Sequence, residues 1–511
     1  AIVVNDASTT PTMNTALVIG ANGVDIGRTV TIGNYGASTT IGGATSFTSG
    51  TGTFNNTITF NRSIALNASG TSTVTLSGAL TDGAGAGGTS ALTKTGSGTI
   101  ILSGGSANVG TGSVTVTEGT LQIAKSVANG GIGDSAAVSI SNGATLQFNA
   151  GQNETIGSLA GSGTVDNING TGMTLTAGGN NASTTFSGVI QDTGAGSLAL
   201  TKAGSGNLTL SGNNSYAGTT TVSSGTLTAQ HINALGNSGG STATSVTGGA
   251  SLALDLSGTN TFANESLTLN GNGQGGNGAL RNIAGNNSWT GGITLGSTST
   301  VQSDSGTLTI GTTNITGTGL GLIVAGAGNT TISSSLATGA AGTLTKNGTG
   351  TLTLGSANTY TGATAINTGT VEIQNATALG TNALGTTISN GATLVIGGGA
   401  YSTSEGLTVG GQGVGGAGAI RNVGSDHTLT GNIALTAESY VSVATGTTLT
   451  ASGIVSGTGF GLTKVDTGTL ILSAANSYTG TTAINAGTLQ LTGSGTLGTN
   501  ATPTTIANGA T

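Results

Sequence analysis

Cysteine is absent from the 511 residues, and proline, tryptophan and charged residues are all scarce. Without cysteine no disulfide stabilises the fold, and the redox state of the compartment cannot be read from the chain. Aromatic residues make up only 3% of the sequence, which is too few to fill the core of a two-sheet sandwich about 10 Å thick. The composition therefore favours a narrow fold whose interior is filled by small side chains.

Charge is sparse and of both signs, with sixteen acidic and nine basic residues and a formal net charge of −7. The bases form no cluster, so no nucleic-acid partner is predicted. No apolar run approaches the ~20 residues that cross a bilayer, so no transmembrane segment is predicted in the chain. The first residues, AIVVNDAS, contain neither an initiator Met nor a basic stretch, which indicates a mature or partial chain.

Glycine is abundant, with 98 residues, and one stretch of sequence occurs four times. Its copies begin at Leu92, Leu200, Leu344 and Leu462, and the last reads LTKVDTGTLILSAANSYTGTTAINAGTLQL. Within the last three copies a Gly-Thr-Leu trio or a close variant recurs at one constant interval, from Leu208 to Leu227, Leu352 to Val371 and Leu470 to Leu489. A strand followed by its near copy at such an interval indicates a solenoid in which each coil lies on the previous one.

The strands themselves are short and alternate in polarity. In Thr351–Leu354 the two leucines fall on one face and the two threonines on the other. The period and the 35% of apolar residues exclude a disordered Gly-rich chain. The sequence predicts an all-β fold, a parallel β-solenoid (β-helix) with about 19–25 residues per coil and no helical domain. About 24 such coils would make a rod roughly 115 Å long.

Composition is uniform from end to end, so a single continuous β-solenoid over residues 1–511 is predicted. Residues 1–91 are interpreted as degenerate N-terminal coils, and 92–199, 200–343, 344–461 and an incomplete 462–511 as large repeat units. The interval from Arg281 to Lys346 is longer than the corresponding interval from Arg421 to Lys464. The difference is about one coil. A solenoid tolerates the gain or loss of a whole coil, because the stacking on either side of it is restored.

The last residues, TTIANGAT, match TTISNGAT at 386–393, where the earlier copy continues as Leu394-Val395-Ile396. The strand is expected to continue either in further coils of a longer protein or in another molecule. Ala1–Val4 would extend it as a strand. Head-to-tail self-association through exposed solenoid ends is therefore predicted.

The pattern LTKxGxGTLTLSGxNxYTGxTxINxGTLQ, seen best from Leu344 and Leu462, resembles the strand repeat of autotransporter passenger domains. The resemblance implies a right-handed parallel β-helix, secreted across the outer membrane of a Gram-negative bacterium and displayed as an adhesin, a stalk or a carrier of other activities. The first copy departs from the pattern, with Ala107-Asn108-Val109-Gly110 where the others have Asn-Ser/Thr-Tyr-Thr/Ala-Gly.

Several motifs suggest chemistry but lack the context that it needs. GxGxxG occurs at 271–276 and 411–416, yet no helical period follows either one, so no nucleotide site or other cofactor is predicted. The turn Gly130–Asp134 resembles one turn of a calcium-binding solenoid but never recurs, so no metal site is predicted.

A polysaccharide-degrading enzyme is the main alternative, and its best local group is Arg421, Asp426 and His427. The corresponding earlier unit has Asn286 and Asn287 after Arg281, so the acid and the imidazole occur once. They are interpreted as solvated surface; no catalytic residue is predicted, and the chain is predicted not to be an enzyme. An ice-binding solenoid is a further alternative, suggested by threonine-rich faces such as 219–221, although outward residues elsewhere mix Thr, Ser, Asn and Gly.

Two sets of recurring residues are given structural roles. Tyr216, Tyr360 and Tyr478 are separated by several coils and are expected to cover a corner of the coil. The lysines are expected to lie at a strand border and to discourage edge pairing; they are Lys94, Lys202, Lys346 and Lys464.

The sequence thus predicts an extracellular or cell-surface structural or adhesive β-helix, either a surface passenger or a fibre-forming subunit. Its weakly charged, hydroxyl-rich surface suits self-association, and a glycan or another cell-surface ligand is the further partner it would suit.

Overall fold

A computed structural model describes residues 2–4, 13–83, 90–110, 112–237, 243–381, 383–499 and 503–511. This part of the chain is built from short β-strands that pair in parallel and stack as a β-solenoid. Its helices are two single 3-10 turns, Gln274–Gly276 and Val414–Gly416. No helix in these ranges is long and apolar enough to cross a membrane. The predicted fold class is confirmed.

The chain divides into two compact units, Ala1–Ala253 and Leu254–Thr511. The strands of the first unit are β1 (Ile2–Val4), β2 (Asn14–Ile19), β3 (Val24–Ile26), β4 (Val30–Ile32), β5 (Ser38–Gly43), β6 (Thr51–Phe54), β7 (Ile58–Phe60), β8 (Ile64–Asn67), β9 (Thr73–Leu76), β10 (Leu80–Asp82), β11 (Leu92–Thr95), β12 (Thr99–Gly104), β13 (Val114–Val116), β14 (Thr120–Lys125), β15 (Ala137–Ile140), β16 (Thr145–Phe148), β17 (Glu154–Ile156), β18 (Ser158–Gly161), β19 (Thr164–Asn167), β20 (Met173–Ala177), β21 (Thr184–Phe186), β22 (Val189–Gln191), β23 (Leu198–Lys202), β24 (Asn207–Leu210), β25 (Thr220–Val222), β26 (Thr226–Ala229) and β27 (Ala243–Val246).

The boundary between the units falls inside β28 (Ser251–Phe262). The remaining strands, all in the second unit, are β29 (Ser266–Gly271), β30 (Leu280–Trp289), β31 (Ile293–Ser303), β32 (Thr307–Ile310), β33 (Ile315–Thr316), β34 (Leu322–Ala325), β35 (Asn329–Ile332), β36 (Leu336–Ala337), β37 (Leu344–Lys346), β38 (Thr351–Leu354), β39 (Thr364–Ile366), β40 (Gly369–Ile373), β41 (Thr386–Ile388), β42 (Ala392–Ile396), β43 (Ser402–Thr403), β44 (Leu407–Val409), β45 (Ile420–Asn422), β46 (His427–Leu429), β47 (Ile433–Leu435), β48 (Ser439–Val443), β49 (Thr448–Ala451), β50 (Val455–Ser456), β51 (Leu462–Val465), β52 (Thr469–Leu472), β53 (Thr482–Ile484), β54 (Thr488–Leu491) and β55 (Thr505–Ile506).

Successive coils place their strands in columns of parallel pairs. In the first unit these are column I (β1, β4, β7, β10), column II (β2, β5, β8, β11, β13, β15, β18, β21, β24, β26), column III (β3, β6, β9, β12, β14, β16, β19, β22) and column IV (β17, β20, β23, β25, β27). In the second unit the long strands β30 and β31 each contribute to two columns. The columns there are column V (β29, β31, β33, β36), column VI (β30, β31, β34, β37, β39, β41, β44, β47, β50), column VII (β30, β32, β35, β38, β40, β42, β45, β48, β51, β53, β55) and column VIII (β43, β46, β49, β52, β54).

The core consists of aliphatic side chains that stack from coil to coil. In β38, Leu352 and Leu354 are buried, whereas Thr351 and Thr353 are partly exposed on the other face. The Gly-Thr-Leu trios lie directly on one another, as predicted. The registered pairs are Ile100 with Leu121, Leu208 with Leu227, Leu352 with Val371 and Leu470 with Leu489. Burial of these stacked aliphatic side chains stabilises each coil against its neighbours.

Coil length varies more widely than the sequence predicted. Leu352 pairs with Val371, which closes a short coil, but Ile64 pairs with Leu92 across a distinctly longer stretch of chain. Leu394 pairs with Ile420 because the glycine-rich segment 410–419, with its 3-10 turn, is accommodated between the strands. Extra residues lie in turns, so the strand register is preserved while the coil lengthens.

The strand register explains why the interval from Arg281 to Lys346 is longer than that from Arg421 to Lys464. Three steps of pairing separate the coil of Arg281 from that of Lys346 in column VI. Two steps separate Arg421 from Lys464 in column VII. The difference is one coil, as predicted.

The two copies of the repeat within each unit are offset by one column. In the first unit Lys94 lies on β11 of column II, whereas Lys202 lies on β23 of column IV, and β24 of the later copy pairs into column II. In the second unit Lys346 lies in column VI and Lys464 in column VII. The repeat is longer than one coil, so successive copies begin on different faces while their strands still stack.

Candidate functional site

The four recurring lysines lie inside the solenoid. Their exposed fractions are 0%, 1%, 2% and 0% for Lys94, Lys202, Lys346 and Lys464. The predicted position at a strand border is therefore wrong. The signal was present in the sequence, because in Leu-Thr-Lys the period of two places the lysine on the same face as the buried leucine.

Each buried ammonium group is held by three backbone carbonyls. Lys94 donates from Nζ to the carbonyl oxygens of Thr95, Gly96 and Glu118 at 3.1, 2.6 and 3.0 Å. The first two acceptors follow the lysine in its own turn, and the third lies in the next coil. Burial lowers the pKa of each of the four lysines to about 8. The lysine thus joins two successive turns and has a structural role.

The recurring tyrosines are also completely buried, at a corner of the coil. The hydroxyl oxygens of Tyr216, Tyr360 and Tyr478 lie 2.6–2.7 Å from Oγ1 of a threonine four residues later. A glycine with positive φ lies against each ring one coil further on, as Gly380 does beneath Tyr360. The prediction that the tyrosines occupy a corner agrees with this position, and the interior location excludes them as a platform for a ligand.

The first copy of the repeat lacks both the tyrosine and the threonine whose hydroxyl bonds to it. Asn108 accepts from the backbone N–H of Leu80 and donates to the carbonyl of Gly131, as Asn214 does with Ile190 and Ala234. These contacts show that Asn108 is equivalent to Asn214. From this point on, the first copy contains two more residues after its lysine than the second copy does. Gly110 then stands at the tyrosine position and Val114 at the threonine position, and a cavity of about 40 Å³ lies beside them.

The structure places Asp426 and His427 in different surroundings. His427 is 3% exposed, and its Nδ1 and Nε2 atoms lie 2.8 Å from Asn422 Oδ1 and 3.0 Å from the carbonyl oxygen of Gly399. Asp426 is exposed and accepts a hydrogen bond from the backbone N–H of Thr448. The interpretation of His427 as solvated surface is wrong: its ring fills the interior.

The earlier large repeat, residues 200–343, shows why the imidazole is tolerated inside. There Asn287 is also buried, and its amide donates to Oδ1 of Asn282 at 2.7 Å and to the carbonyl of Ala284 at 2.8 Å. His427 and Asn422 hold the same two positions in the next large repeat, residues 344–461, and are also five residues apart. Both side chains are bonded to an asparagine five residues earlier in the chain.

The two GxGxxG segments are surface turns. A strand precedes each of them, but only a single 3-10 turn and then another strand follow, so the helix N-terminus of a phosphate site is lacking at both. In the first segment the N–H of Gly276 donates to the carbonyl of Gly273, and directly after the segment the N–H of Gly278 donates to the carbonyl of Asn272.

One face of the first unit carries an outward hydroxyl ladder. Thr155, Thr176, Thr201, Thr221 and Ser245 are in register along column IV. The row of outward side chains next to this ladder is not all hydroxyl, because Thr174 pairs with Ala199. The regular threonine pairs that the ice-binding alternative requires are therefore not maintained on this face.

Buried glutamates are the polar feature that the sequence analysis missed. Glu154 and Glu405 are 2% and 4% exposed. Glu154 accepts from the backbone N–H groups of Gly131 and Ile132, and burial raises its pKa to about 7. Burial also raises the pKa of Glu405, which accepts from Oγ1 of Thr386 at 2.7 Å. Within the described residues no group of three or more His, Cys, Asp or Glu side chains is placed to hold a metal ion.

Glu405 lines a surface groove in the second unit, which is the candidate site. The groove has a volume of about 300 Å³. Its walls come from three successive coils, at residues 357–359, 376–381 and 403–405. Sequence patterns gave no signal for it, because the period predicts that these three segments stack but does not predict the shape of the turns between which the groove lies.

Comparison with known proteins supports the repeat architecture. Residues 92–123, 200–229, 344–373 and 462–491 match the passenger-associated-transport-repeat family. The chain is also 32% identical over 507 aligned residues to the adhesin BmaC autotransporter of Brucella suis biovar 1 (strain 1330), an alignment that covers 84% of this chain and 14% of the relative. The chain therefore spans a small part of that protein's length. No solved structure matches the chain. Four matched repeats and the parallel stacking of their strands identify the chain as a β-solenoid protein with passenger-associated-transport repeats.

Proposed function

We propose that the chain is a segment of an adhesive passenger at the bacterial cell surface or outside the cell. The likeness to an autotransporter adhesin over most of the chain carries this proposal, and the four passenger-associated-transport repeats support it. The solenoid is the scaffold, and its outward strand positions present the binding surface.

The arrangement of polar groups suits this role. The recurring lysines and tyrosines, together with Glu154 and Glu405, are turned inward. The outward positions of the strands carry mainly threonine, serine, asparagine and small residues, as in the ladder of Thr176, Thr201 and Thr221. Hydroxyl and amide groups bind other polar surfaces through hydrogen bonds without requiring opposite charge.

Binding of the purified chain to cells tests the proposal. Fluorescently labelled protein, added to cultured epithelial cells over a range of concentrations, is expected to bind saturably and to be displaced by unlabelled protein. The same protein after heat denaturation serves as the control. A native protein that binds no more than the denatured control would be an inert stalk, and the adhesive function would be rejected.

We also propose that the chain acts without catalysis. The interior position of His427 and the backbone contact of Asp426 support this proposal. Incubation with polysaccharides is expected to release no reducing ends. Release that is abolished in Asp426→Asn would contradict it and restore the enzymatic alternative.

Head-to-tail association is a finer proposal about the same passenger. Each inner coil of the described residues pairs in parallel along both of its edges, as β40 does with β38 and β42, so a coil from another molecule would satisfy the same hydrogen bonds. Electron microscopy at low and high concentration, with and without residues 1–15, tests it. Fibres that vanish on truncation are expected, and single rods at every concentration would refute it.

A further inference from the structure

The groove at Glu405 lies along one corner of three successive coils in the second unit. Leu379 contributes an apolar surface, and the polar side chains that line the groove are Asn358, Thr359, Thr377, Thr381, Thr403, Ser404 and Glu405. Its volume of about 300 Å³ is at the lower end of the roughly 300–1,000 Å³ typical of small-molecule sites. The groove is therefore large enough for a small ligand.

Glu405 differs from its counterpart in the first unit in how its carboxylate is bound. Glu154 accepts from two backbone N–H groups of the neighbouring corner, those of Gly131 and Ile132. Among the described residues, Glu405 accepts instead from a single side chain, Oγ1 of Thr386 at 2.7 Å. A buried carboxylate has about four acceptor positions, so most of those on Glu405 remain available.

The local turn explains the difference. In the corner beside Glu405, the N–H of Ala378 donates to the carbonyl of Asn375 at 3.2 Å and that of Gly380 to Thr377 at 3.0 Å. These amides are used within their own turn. Neither amide is therefore directed at Glu405, whose side chain lines the groove.

Two threonine hydroxyls at the groove add to its hydrogen-bonding capacity. Thr403 accepts from the backbone N–H of Glu405 at 3.4 Å, and its own proton is free to be donated. Thr377 donates from Oγ1 to Oδ1 of Asn375 at 3.2 Å and keeps its lone pairs for a ligand. The amide of Asn358, in contrast, is engaged on both sides, with Leu336 and Ala378.

We propose that this groove binds a single neutral sugar residue of a glycan, with two of its hydroxyl groups donating to Glu405. The proposal rests on the adhesive function proposed above and names its ligand class. A sugar ring combines hydroxyl donors for the carboxylate and threonines with a C–H face for Leu379. A metal ion is less well matched, since hard cations such as Ca²⁺ take six to eight oxygen ligands and Glu405 is the one carboxylate among the described residues that line the groove.

Saturation-transfer NMR with the full chain tests the site. The probes are the methyl glycosides of glucose, galactose, mannose and N-acetylglucosamine, each titrated to give a dissociation constant. The native protein is expected to bind at least one of them, and Glu405→Gln is expected to weaken that binding at least about tenfold, because a charge-assisted hydrogen bond is lost. Glu154→Gln removes an equally buried carboxylate outside the groove and is expected to leave binding unchanged.

A second variant keeps the test decisive if Glu405→Gln does not fold. Ala376→Phe places a ring in the groove without altering the carboxylate, and it is expected to abolish binding while circular dichroism remains native. Binding that survives in both variants would reject the groove as the site and leave the adhesive function standing. Failure of the native chain to bind any of the four probes would reject the sugar ligand, whereas failure to bind cells would reject the proposed function itself.

Discussion

Lys346 donates a hydrogen bond of 2.6 Å from Nζ to the carbonyl oxygen of Gly348. It also bonds the carbonyl of Asn347 at 2.9 Å and, in the next coil, that of Thr368 at 3.4 Å. The same arrangement recurs at the other three repeat lysines. A positive charge inside an otherwise aliphatic stack is thus tolerated because the turns supply the acceptors that water would provide.

Replacement of this lysine is expected to destabilise the second unit. Lys346→Met retains the length of the side chain but leaves carbonyl groups without their donor, which costs about 1–3 kcal/mol of unfolding free energy. Hydrogen exchange should increase around residues 344–369. Arg28→Met, which removes an exposed positive charge, is the control and should change stability little. Equal effects of the two substitutions would contradict the structural role of the buried ammonium group.

Substitution of Gly380 and of Gly391 by alanine distinguishes the cost of backbone strain from the cost of a packing clash. Gly380 and Gly391 have φ values of 88° and 84°, but a Cβ at Gly380 would lie 2.5 Å from the carbonyl oxygen of Tyr360 and 2.8 Å from its ring, whereas Gly391 faces open space. Gly391→Ala should cost about 1–2 kcal/mol for the left-handed conformation alone. Gly380→Ala should cost about 1–3 kcal/mol more, because the corner must move. Thermal unfolding measures both, and equal losses would refute the packing of glycine against tyrosine.

The tyrosine and threonine of the corner are expected to be coupled. The hydroxyls of Tyr478 and Thr482 lie 2.7 Å apart in the interior. Tyr478→Phe and Thr482→Val should each cost about 1 kcal/mol, and the double variant should cost less than the two together because no hydroxyl is left without its partner. A double-mutant cycle in urea gives the coupling energy, and strictly additive losses would contradict a direct hydrogen bond.

Glu154 is expected to make the stability of the first unit depend on pH. Burial raises its pKa from 4.5 to about 7, so between these values the folded state binds more protons than the unfolded state. Its contribution to stability is therefore full below pH 4.5 and is lost as the pH rises through 7. The slope should not exceed about 1.4 kcal/mol per pH unit. Urea unfolding of native protein and Glu154→Gln between pH 4.5 and 8 measures it, and parallel curves would refute the shift.

Sequence alone determined the solenoid and its coil-to-coil register. The trio at Leu352 and the trio at Val371 are separated by one coil, and alternation along Thr351–Leu354 assigns the inner face without further information. Both signals are local and repeated, so stacking like on like follows from the period. The spacing of Arg281 and Arg421 from the lysines after them was equally informative, because a coil is gained or lost as a whole.

Tertiary structure decided what the buried polar side chains contact. The period of two already places Lys346 on the inner face, but the carbonyls that hold its ammonium group lie in its own turn and in the next coil, and the ring of His427 is bonded to Asn422 and to Gly399. The groove at Glu405 is assembled from residues of three successive coils. A repeat period records which residues stack, but it carries no information about hydrogen bonds between turns, and these fix the candidate site.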